Sequence, residues 1–329
     1  MLAKKYPVVA FDGRCQLYEE GTVTLRDGRV VTCDHTYVVD GQHVDFTSST
    51  TWMHDFFGSF DAEAISTRMV NSPNWTRSEY FLPAVEALPL FLEYTGNHED
   101  VRDAVVSLRQ GDMIIDEVIM IAAEVGDIET VNADIRKAYR AHIKWTWKNG
   151  NQLGTELHDR IEHVLDGQLP LSYMRERAAT DVEYGYWVEW YQQELLPRGF
   201  VPYRTELRIF DYSIRVCGSI DALFVHPDRP NELIMVDWKR SKRLWRRGFN
   251  GKKGKPPLEH LDDCNLYHYY MQQNVYKRIL ERNTRLRIVE MYLVVCHPRN
   301  STYVLVPVPV LDQEVDAVWN HRVNRLPQI

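Results

Sequence analysis

The sequence predicts an α/β protein in which helices flank a mixed sheet, preceded by an N-terminal β-hairpin and a helical extension. Two observations predict this fold. The second half of the chain runs in the order helix, three strands, helix, two strands, which is typical of a mixed sheet covered by helices. The first half alternates β-branched and polar residues and then changes to apolar residues at helical spacing. We therefore expect a β-hairpin region over 1–50, a helical region over 51–148 and a core domain over 149–329.

Composition narrows the class of protein. The 329 residues suggest about two domains, and 44% apolar with 26% charged residues excludes wholesale disorder. No apolar run reaches transmembrane length, and the first residues lack a signal-peptide hydrophobic region, so we expect no membrane association. The five cysteines are far apart without a CxxC pair, which predicts reduced thiols in an intracellular protein. Nucleus, mitochondrion and, for a viral protein, host cytoplasm all remain compatible with this.

Charge is unevenly distributed along the chain. The net charge is −7, from 39 basic and 46 acidic residues. The segment Lys239 to Lys255, KRSKRLWRRGFNGKKGK, nevertheless holds nine basic residues and no acidic one. The rest of the chain has 30 basic and 46 acidic residues and therefore a net charge of −16. Because a nucleic acid responds to local charge, this run with Trp245 and Phe249 predicts phosphate contact and base stacking. A solvated loop or a nuclear-localisation signal is the alternative.

The first half of the chain divides into a hairpin and helices. The Asp-Gly pairs at 27–28 and 40–41 are hairpin-turn dipeptides. Residues 78–148 are predicted to be helical, with breaks at 96–97 and 126–127, and the turn residues of 147–154 predict a linker. A helix over 154–165 and an aromatic-rich helix over 181–196 follow.

The second half contains the predicted sheet. Strands are expected at 202–210, 212–225 and 232–239, with turn residues between them. A helix over about 263–282 precedes two further strands at 286–296 and 302–310, and a short helix covers 311–323. No internal repeat interrupts this order.

Two acidic residues interrupt apolar strands. Side chains alternate along a strand, so Asp237 and Lys239 project from one face while Trp238 projects from the other. Burying such charges costs several kcal/mol unless they are paired or bind a metal. If the strands before and after 226–231 form a hairpin, Asp221 and Asp237 can converge on one Mg²⁺ or Mn²⁺. A structural Asp–Lys ion pair is the alternative.

Residues on two predicted helices could complete such a site. His158 shares a helix face with Gly154 and Glu162 at i±4 spacing, and Gln272 and Tyr276 share a face at i,i+4. Each of these residues alone would be read as structural.

Taken together, GTxxH, TE before a strand, GSID, DWK and QxxxY resemble the PD-(D/E)xK nuclease superfamily, and most closely its RecB-type exonuclease branch. That branch includes exonuclease V and the mitochondrial genome-maintenance exonuclease. The resemblance covers about residues 149–310 and rests on the order and spacing of five short motifs. It implies a restriction-endonuclease-like fold and the activity of a metal-dependent deoxyribonuclease. Within that class it favours an exonuclease that acts on single-stranded or free-ended DNA over an endonuclease. The expected role is in replication, repair or recombination.

The resemblance also implies roles for individual residues. The metal ligands would be His158, Asp221, Asp237 and the carbonyl of Trp238, with Glu206 near a second metal. Lys239 would be the catalytic lysine, and Gln272 and Tyr276 would hold that lysine or the scissile phosphate. The family pattern DxKTS places its serine at Ser241. Together with the basic run described above, this gives the expected DNA-binding residues Ser241, Lys242, Arg243, Trp245, Arg246 and Arg247.

One departure from the family pattern concerns cysteine. Relatives with an iron–sulfur cluster use one upstream and three downstream cysteines, whereas only Cys264 and Cys296 follow Lys239 here. We therefore expect Mg²⁺ or Mn²⁺ and no iron–sulfur cluster. Position 240 is Arg where the family pattern DxKTS has Thr.

Three alternative functions stay open at this point. The first is a structure-specific endonuclease on the same fold, and the second is a catalytically inactive DNA-binding or scaffold subunit. Retention of costly buried charges argues against an inactive protein. The third is a small-molecule enzyme of unrelated fold. The expected partner is DNA, with RNA left open, and the sequence does not predict cleavage polarity, oligomeric state or protein partners.

Overall fold

A computed structural model describes residues 6–326 and confirms the α/β class. Helices flank a six-stranded mixed sheet, and a separate antiparallel hairpin lies near the N-terminus. The hairpin strands are β1 (Cys15–Thr24) and β2 (Val30–Val39), joined across the predicted turn at 27–28. The sheet strands are β3 (Thr47–Ser48), β4 (Val201–Asp211), β5 (Val216–His226), β6 (Arg229–Lys239), β7 (Arg287–Val295) and β8 (Val304–Pro307).

Eleven α-helices lie within the described part of the chain. They are α1 (Ser49–Met53), α2 (Ala62–Val70), α3 (Phe81–Glu86), α4 (Leu88–Phe91), α5 (Glu99–Gln110), α6 (Ile115–Glu124), α7 (Ile128–Leu165), α8 (Leu171–Ala178), α9 (Val182–Trp190), α10 (Asn265–Asn283) and α11 (Asp312–Val323). The predicted breaks at 96–97 and 126–127 fall between helices. Over residues 6–326, none of the helices is both long enough and apolar enough to span a bilayer.

The linker predicted at 147–154 is wrong, because these residues lie inside α7. Ile143 is buried before the segment, and Leu157 is buried after it. Such packing of apolar residues outweighs the cost of about 1 kcal/mol for each glycine in a helix interior. Turn-forming composition alone therefore misidentified a continuous helix.

The chain forms two compact units. One consists of residues up to Ser59 together with those from Gly154 onwards, and the other is Phe60–Leu153. The predicted three-domain division at 50 and 148 stays a prediction. The Phe60–Leu153 unit has a core of α4, α5, α6 and the first part of α7, with a smaller cluster around Trp75.

The larger unit contains the six-stranded sheet. Its order is β3-β5-β6-β7-β8, and β4 pairs with β5. Pairs β4–β5, β5–β6 and β7–β8 are antiparallel, whereas β6–β7 and β3–β5 are parallel. Pairing of β5 with β6 stops at Ala222 and Val236. Earlier in β5, Val216 and Cys217 pair with β3 instead of β6. The two central strands therefore separate just where their acidic residues lie.

Both faces of the central strands β5 and β6 are buried. Leu223, Leu233 and Met235 pack with α10 and α11 on one face. Phe224 and Val236 pack with the end of α7 and with α9 on the other. This double burial explains the nearly continuous apolar runs in β5 and β6. It also means that a polar side chain in these strands needs a polar partner.

Candidate metal centre

Asp221 and Asp237 lie opposite each other where β5 and β6 separate. They occupy the next positions after the last paired residues, Ala222 and Val236. The N–H of Trp238 donates to Asp221 Oδ2 at 3.0 Å, so a carboxylate takes the place of a strand partner there. One carboxylate is thereby fixed on each side of the opening.

His158 reaches this opening from α7. The adjacent Leu157 and nearby Ile161 are fully buried against the sheet, which holds this part of the helix in place. His158 Nε2 lies 2.9 Å from the carbonyl oxygen of Trp238, and Nδ1 lies 3.4 Å from Asp221 Oδ2. The ring of Trp238 packs against Trp190 with centroids 5.2 Å apart, so the carbonyl beside His158 belongs to a well-anchored residue.

Glu206 approaches the same point from β4. Thr205 pairs with Ala222 and Leu207 with Ile220, which places Glu206 opposite Asp221. Its φ of 41° lies in the left-handed region, which a glutamate rarely adopts in a strand. One ligand atom from each of His158, Glu206 and Asp221 lies within 4.8 Å of the others.

Asp237 and Lys239 form an adjoining buried pair. Lys239 Nζ lies 2.5 Å from Asp237 Oδ2, and Asp237 is only 3% exposed. The ammonium group also lies over the ring of Tyr269, 4.7 Å from its centroid. Carboxylate and ring thus fix the position of the lysine beside the cluster of His158, Glu206 and Asp221.

The crowded carboxylates change the acidity of their neighbours. Burial, followed by the charge of Asp221, raises the pKa of Glu206 to about 8. Burial also raises the pKa of Asp237, although the charge of Lys239 opposes the change. For Lys239, burial favours the neutral amine, but the carboxylates of Asp237 and Asp221 outweigh it and raise the pKa. The lysine is therefore an ammonium ion at neutral pH.

Gln272 and Tyr276 lie together on α10. Gln272 Nε2 donates to Tyr276 Oη at 3.0 Å and to Thr50 Oγ1 at 3.1 Å. The neighbouring Gln273 is buried in the core. The expected contact of this pair with the lysine or the scissile phosphate stays a prediction.

The glycine of the GSID motif has a packing explanation. A Cβ on Gly218 would lie 2.2 Å from the ring of Tyr276, which is itself buried. The glycine of one motif is therefore required by the tyrosine of another.

Sequence reasoning missed several residues at the site. Tyr269, under the lysine, lies three positions before Gln272 on the same helix face, and that spacing could have identified it. Ser219, within GSID, donates its Oγ hydrogen to Glu206 at 2.8 Å. Thr50 is 222 positions before Gln272, and no local pattern points to it.

Part of the basic segment after β6 pairs with carboxylates. Arg240 lies 2.7 Å from Glu183, and Lys252 and Lys253 pair with Asp263 and Asp262 at 2.8 and 3.0 Å. These carboxylates neutralise part of the run. Side chains of the middle part remain exposed: Lys242, Arg243, Trp245, Arg246 and Arg247. Ser241 is half-buried beside them.

The donor set of the opening could hold a divalent cation. Ligand atoms of His158, Glu206 and Asp221 converge there, and the carbonyl oxygen of Trp238 lies beside His158. Asp237 is not part of this cluster and adjoins it in its pair with Lys239. A mainly oxygen donor set suits Mg²⁺ or Mn²⁺. Burial and the charge of Asp221 raise the pKa of Glu206, and a cation between the two carboxylates would oppose both effects.

The solved structures that resemble this chain include two distant likenesses. No family model and no curated protein matches the sequence. The crystal structure of a protein named SSO0001 is similar over 44% of this chain and 56% of that one, with 12% identity and a TM-score of 0.22. The crystal structure of a protein named "Putative exonuclease" from Eubacterium rectale is similar over 82% of both chains, with 14% identity and a TM-score of 0.24. The chain thus spans just over half of the first of these structures, and the assignment to a nuclease family stays a resemblance.

Proposed function

We propose that this protein is a metal-dependent DNA nuclease, more specifically an exonuclease that acts on single-stranded or free-ended DNA in replication, repair or recombination. The observation that supports it is the cluster at the opening between β5 and β6. There Glu206 and Asp221 crowd around His158, next to the buried pair of Asp237 and Lys239.

The simpler alternative is a structural ion pair, and it accounts for only part of the site. An ion pair explains Asp237 and Lys239, since each neutralises the other. It does not explain why Glu206 and Asp221 face each other beside that pair, at a cost that raises the pKa of Glu206 to about 8. A site that binds a cation explains all four side chains together.

The residues present suggest a division of labour. His158, Glu206, Asp221, Asp237 and the Trp238 carbonyl would hold Mg²⁺ or Mn²⁺. The ion, when bound, would polarise a phosphate oxygen and increase the acidity of water. Glu206 is protonated at neutral pH in the metal-free protein, so it would release its proton when a cation binds.

Lys239 would act through its charge. Its raised pKa makes it a poor proton acceptor at neutral pH, which argues against a role as general base. Held by Asp237 and the ring of Tyr269, its ammonium group would stabilise the negative charge that develops on the phosphate and orient the attacking water. Gln272 and Tyr276 would hold the scissile phosphate on the α10 side.

The test is cleavage of 5′-labelled and 3′-labelled single- and double-stranded DNA with Mg²⁺, Mn²⁺ or EDTA. We expect metal-dependent loss of label with the wild type and none with Lys239→Ala or Asp237→Ala. Lys144→Ala is the matched control, because it removes a surface lysine that is paired with Glu63 and lies outside the basic segment. It should cut like the wild type. No cleavage with any metal, or cleavage retained in Lys239→Ala, would contradict the proposal.

Substrate topology separates the two nuclease types. An exonuclease degrades linear DNA and leaves covalently closed circles intact. Equal cutting of closed circles would instead indicate a structure-specific endonuclease on the same fold.

A further inference from the structure

A small cavity lies where the chain leaves β6, and its lining begins two residues after Lys239. Its floor is apolar and consists of Leu266, Val295, Val304 and Val306. The volume is about 170 Å³. A cavity of about 150 Å³ accommodates one benzene ring, so this cavity, which we call the side pocket, has room for one flat ring.

Positive and hydrogen-bonding side chains surround this floor. Lys242, Arg243 and Arg246 line the side pocket from the segment after β6, and Asn300 lines it from the β7–β8 connection. The three basic side chains are exposed. An apolar floor under a cationic rim suits a ligand that combines a flat ring with phosphate groups.

Hydrogen bonds to the start of α10 hold the rim in place. The carbonyl of Arg243 accepts from Ser241 Oγ at 3.1 Å and from Asn265 Nδ2 at 3.0 Å. Asn265 Oδ1 in turn accepts from the N–H of Trp245 at 2.8 Å. One asparagine therefore fixes the backbone on both sides of Leu244, whose side chain also lines the side pocket.

The electrostatic environment supports an anionic ligand. Burial, together with Arg240, Arg299 and Lys242, lowers the pKa of His297 to about 4. Arg240 is paired with Glu183, but Lys242 and Arg299 come from two different chain segments and add positive potential at this end of the sheet. A nucleic-acid phosphate would relieve that repulsion.

We propose that the side pocket binds one unstacked base of single-stranded DNA, while Lys242, Arg243 and Arg246 bind the phosphates on either side of that base. Within a duplex a base is paired and stacked, so it could enter only after leaving the helix. Ser241 follows Lys239 by two residues, at most about 7 Å of backbone. One strand can therefore occupy the side pocket and the catalytic opening together. This inference rests on the proposed function and deepens it, because it makes the substrate single-stranded.

The test measures binding without cleavage, by fluorescence anisotropy in EDTA. The probes are a labelled oligothymidylate and an abasic strand of the same length. The wild type should bind the strand with bases more tightly. Val304→Trp, which fills the side pocket, should weaken binding of that strand by at least about tenfold and leave the abasic strand unchanged.

Val289→Trp is the matched control. Val289 and Val304 are both 45% exposed and lie on β7 and β8, but Val289 is not part of the side pocket. This variant should bind like the wild type, and circular dichroism should show both variants folded. Replacing Lys242, Arg243 and Arg246 together by serine should weaken the binding of both strands, because both strands carry phosphates.

The possible failures are distinguishable. Equal affinity of wild type and folded Val304→Trp for the oligothymidylate would overturn the side-pocket proposal, as would equal binding of the two strands by the wild type. Cleavage with Mg²⁺ is measured separately. A protein that cuts DNA but fails the binding test would retain the proposed function and lose only this inference.

Discussion

Replacing Glu206 by glutamine should make the metal-free protein more stable at neutral to alkaline pH. The pKa of Glu206 is raised to about 8 from its usual 4.5. Because the folded state binds this proton more tightly than the unfolded state does, the protonated Glu206 stabilises the fold fully below pH 4.5. This contribution is lost as the pH rises to 8, since Glu206 must then ionise next to the charge of Asp221. Glutamine never ionises, so the variant should not lose this stability.

The size of the effect follows from the distance to Asp221. Two unit charges 4.8 Å apart, the outer limit for ligand atoms of this cluster, repel by about 3 kcal/mol at an effective dielectric constant of about 20. Burial of the carboxylate adds to this cost. A difference of about 3 kcal/mol corresponds to a rise of about 6 °C or more in Tm for a unit of this size.

Thermal unfolding in EDTA, followed by circular dichroism at pH 5, 7 and 9, measures the prediction. The Tm of Glu206→Gln minus that of the wild type should be near zero at pH 5 and largest at pH 9. Glu232→Gln is the control, because Glu232 lies at the start of β6 in an exposed pair with Arg229. A Tm difference that does not change with pH, or a variant less stable than the wild type at pH 9, would refute this account of the carboxylate cluster.

Three further substitutions test other contacts. Lys239→Met should lower the free energy of unfolding of the metal-free protein by about 3–5 kcal/mol, because it leaves the buried carboxylate of Asp237 unpaired. Urea unfolding in EDTA measures this loss, and a midpoint equal to that of the wild type would contradict the prediction. Gly218→Ala should destabilise the folded protein by about 1–3 kcal/mol, since the added Cβ would lie 2.2 Å from the ring of Tyr276. A Tm equal to that of the wild type would show that the ring can move. Tyr276→Phe removes the acceptor of Gln272 and should cost about 1 kcal/mol in urea unfolding, and a loss several times larger would mean that the hydroxyl has partners beyond that glutamine.

Much of the sheet could be predicted because its local patterns agree with its packing. The apolar runs of β5 and β6 are buried on both faces, and the short connection between the strands makes them antiparallel neighbours. Side-chain alternation then places Asp237 and Lys239 on one face, as the structure has them.

Other features depend on contacts that no local pattern contains. The segment 147–154 has turn-forming residues, yet buried Ile143 and Leu157 on either side continue the helix. The left-handed φ of Glu206 and the hydrogen bond from Gln272 to Thr50 arise only after distant parts of the chain pack together. The carboxylate cluster could thus be anticipated as a group of residues, but not with Glu206 directly opposite Asp221.

The most direct measurement of the central claim is binding of Mn²⁺ followed by electron paramagnetic resonance. The account predicts that the wild type binds one or two Mn²⁺ ions, that Mg²⁺ competes for them, and that Asp221→Asn loses this binding while Glu232→Gln keeps it. A wild type that binds no Mn²⁺, or an Asp221→Asn variant that binds as the wild type does, would contradict a metal centre between β5 and β6.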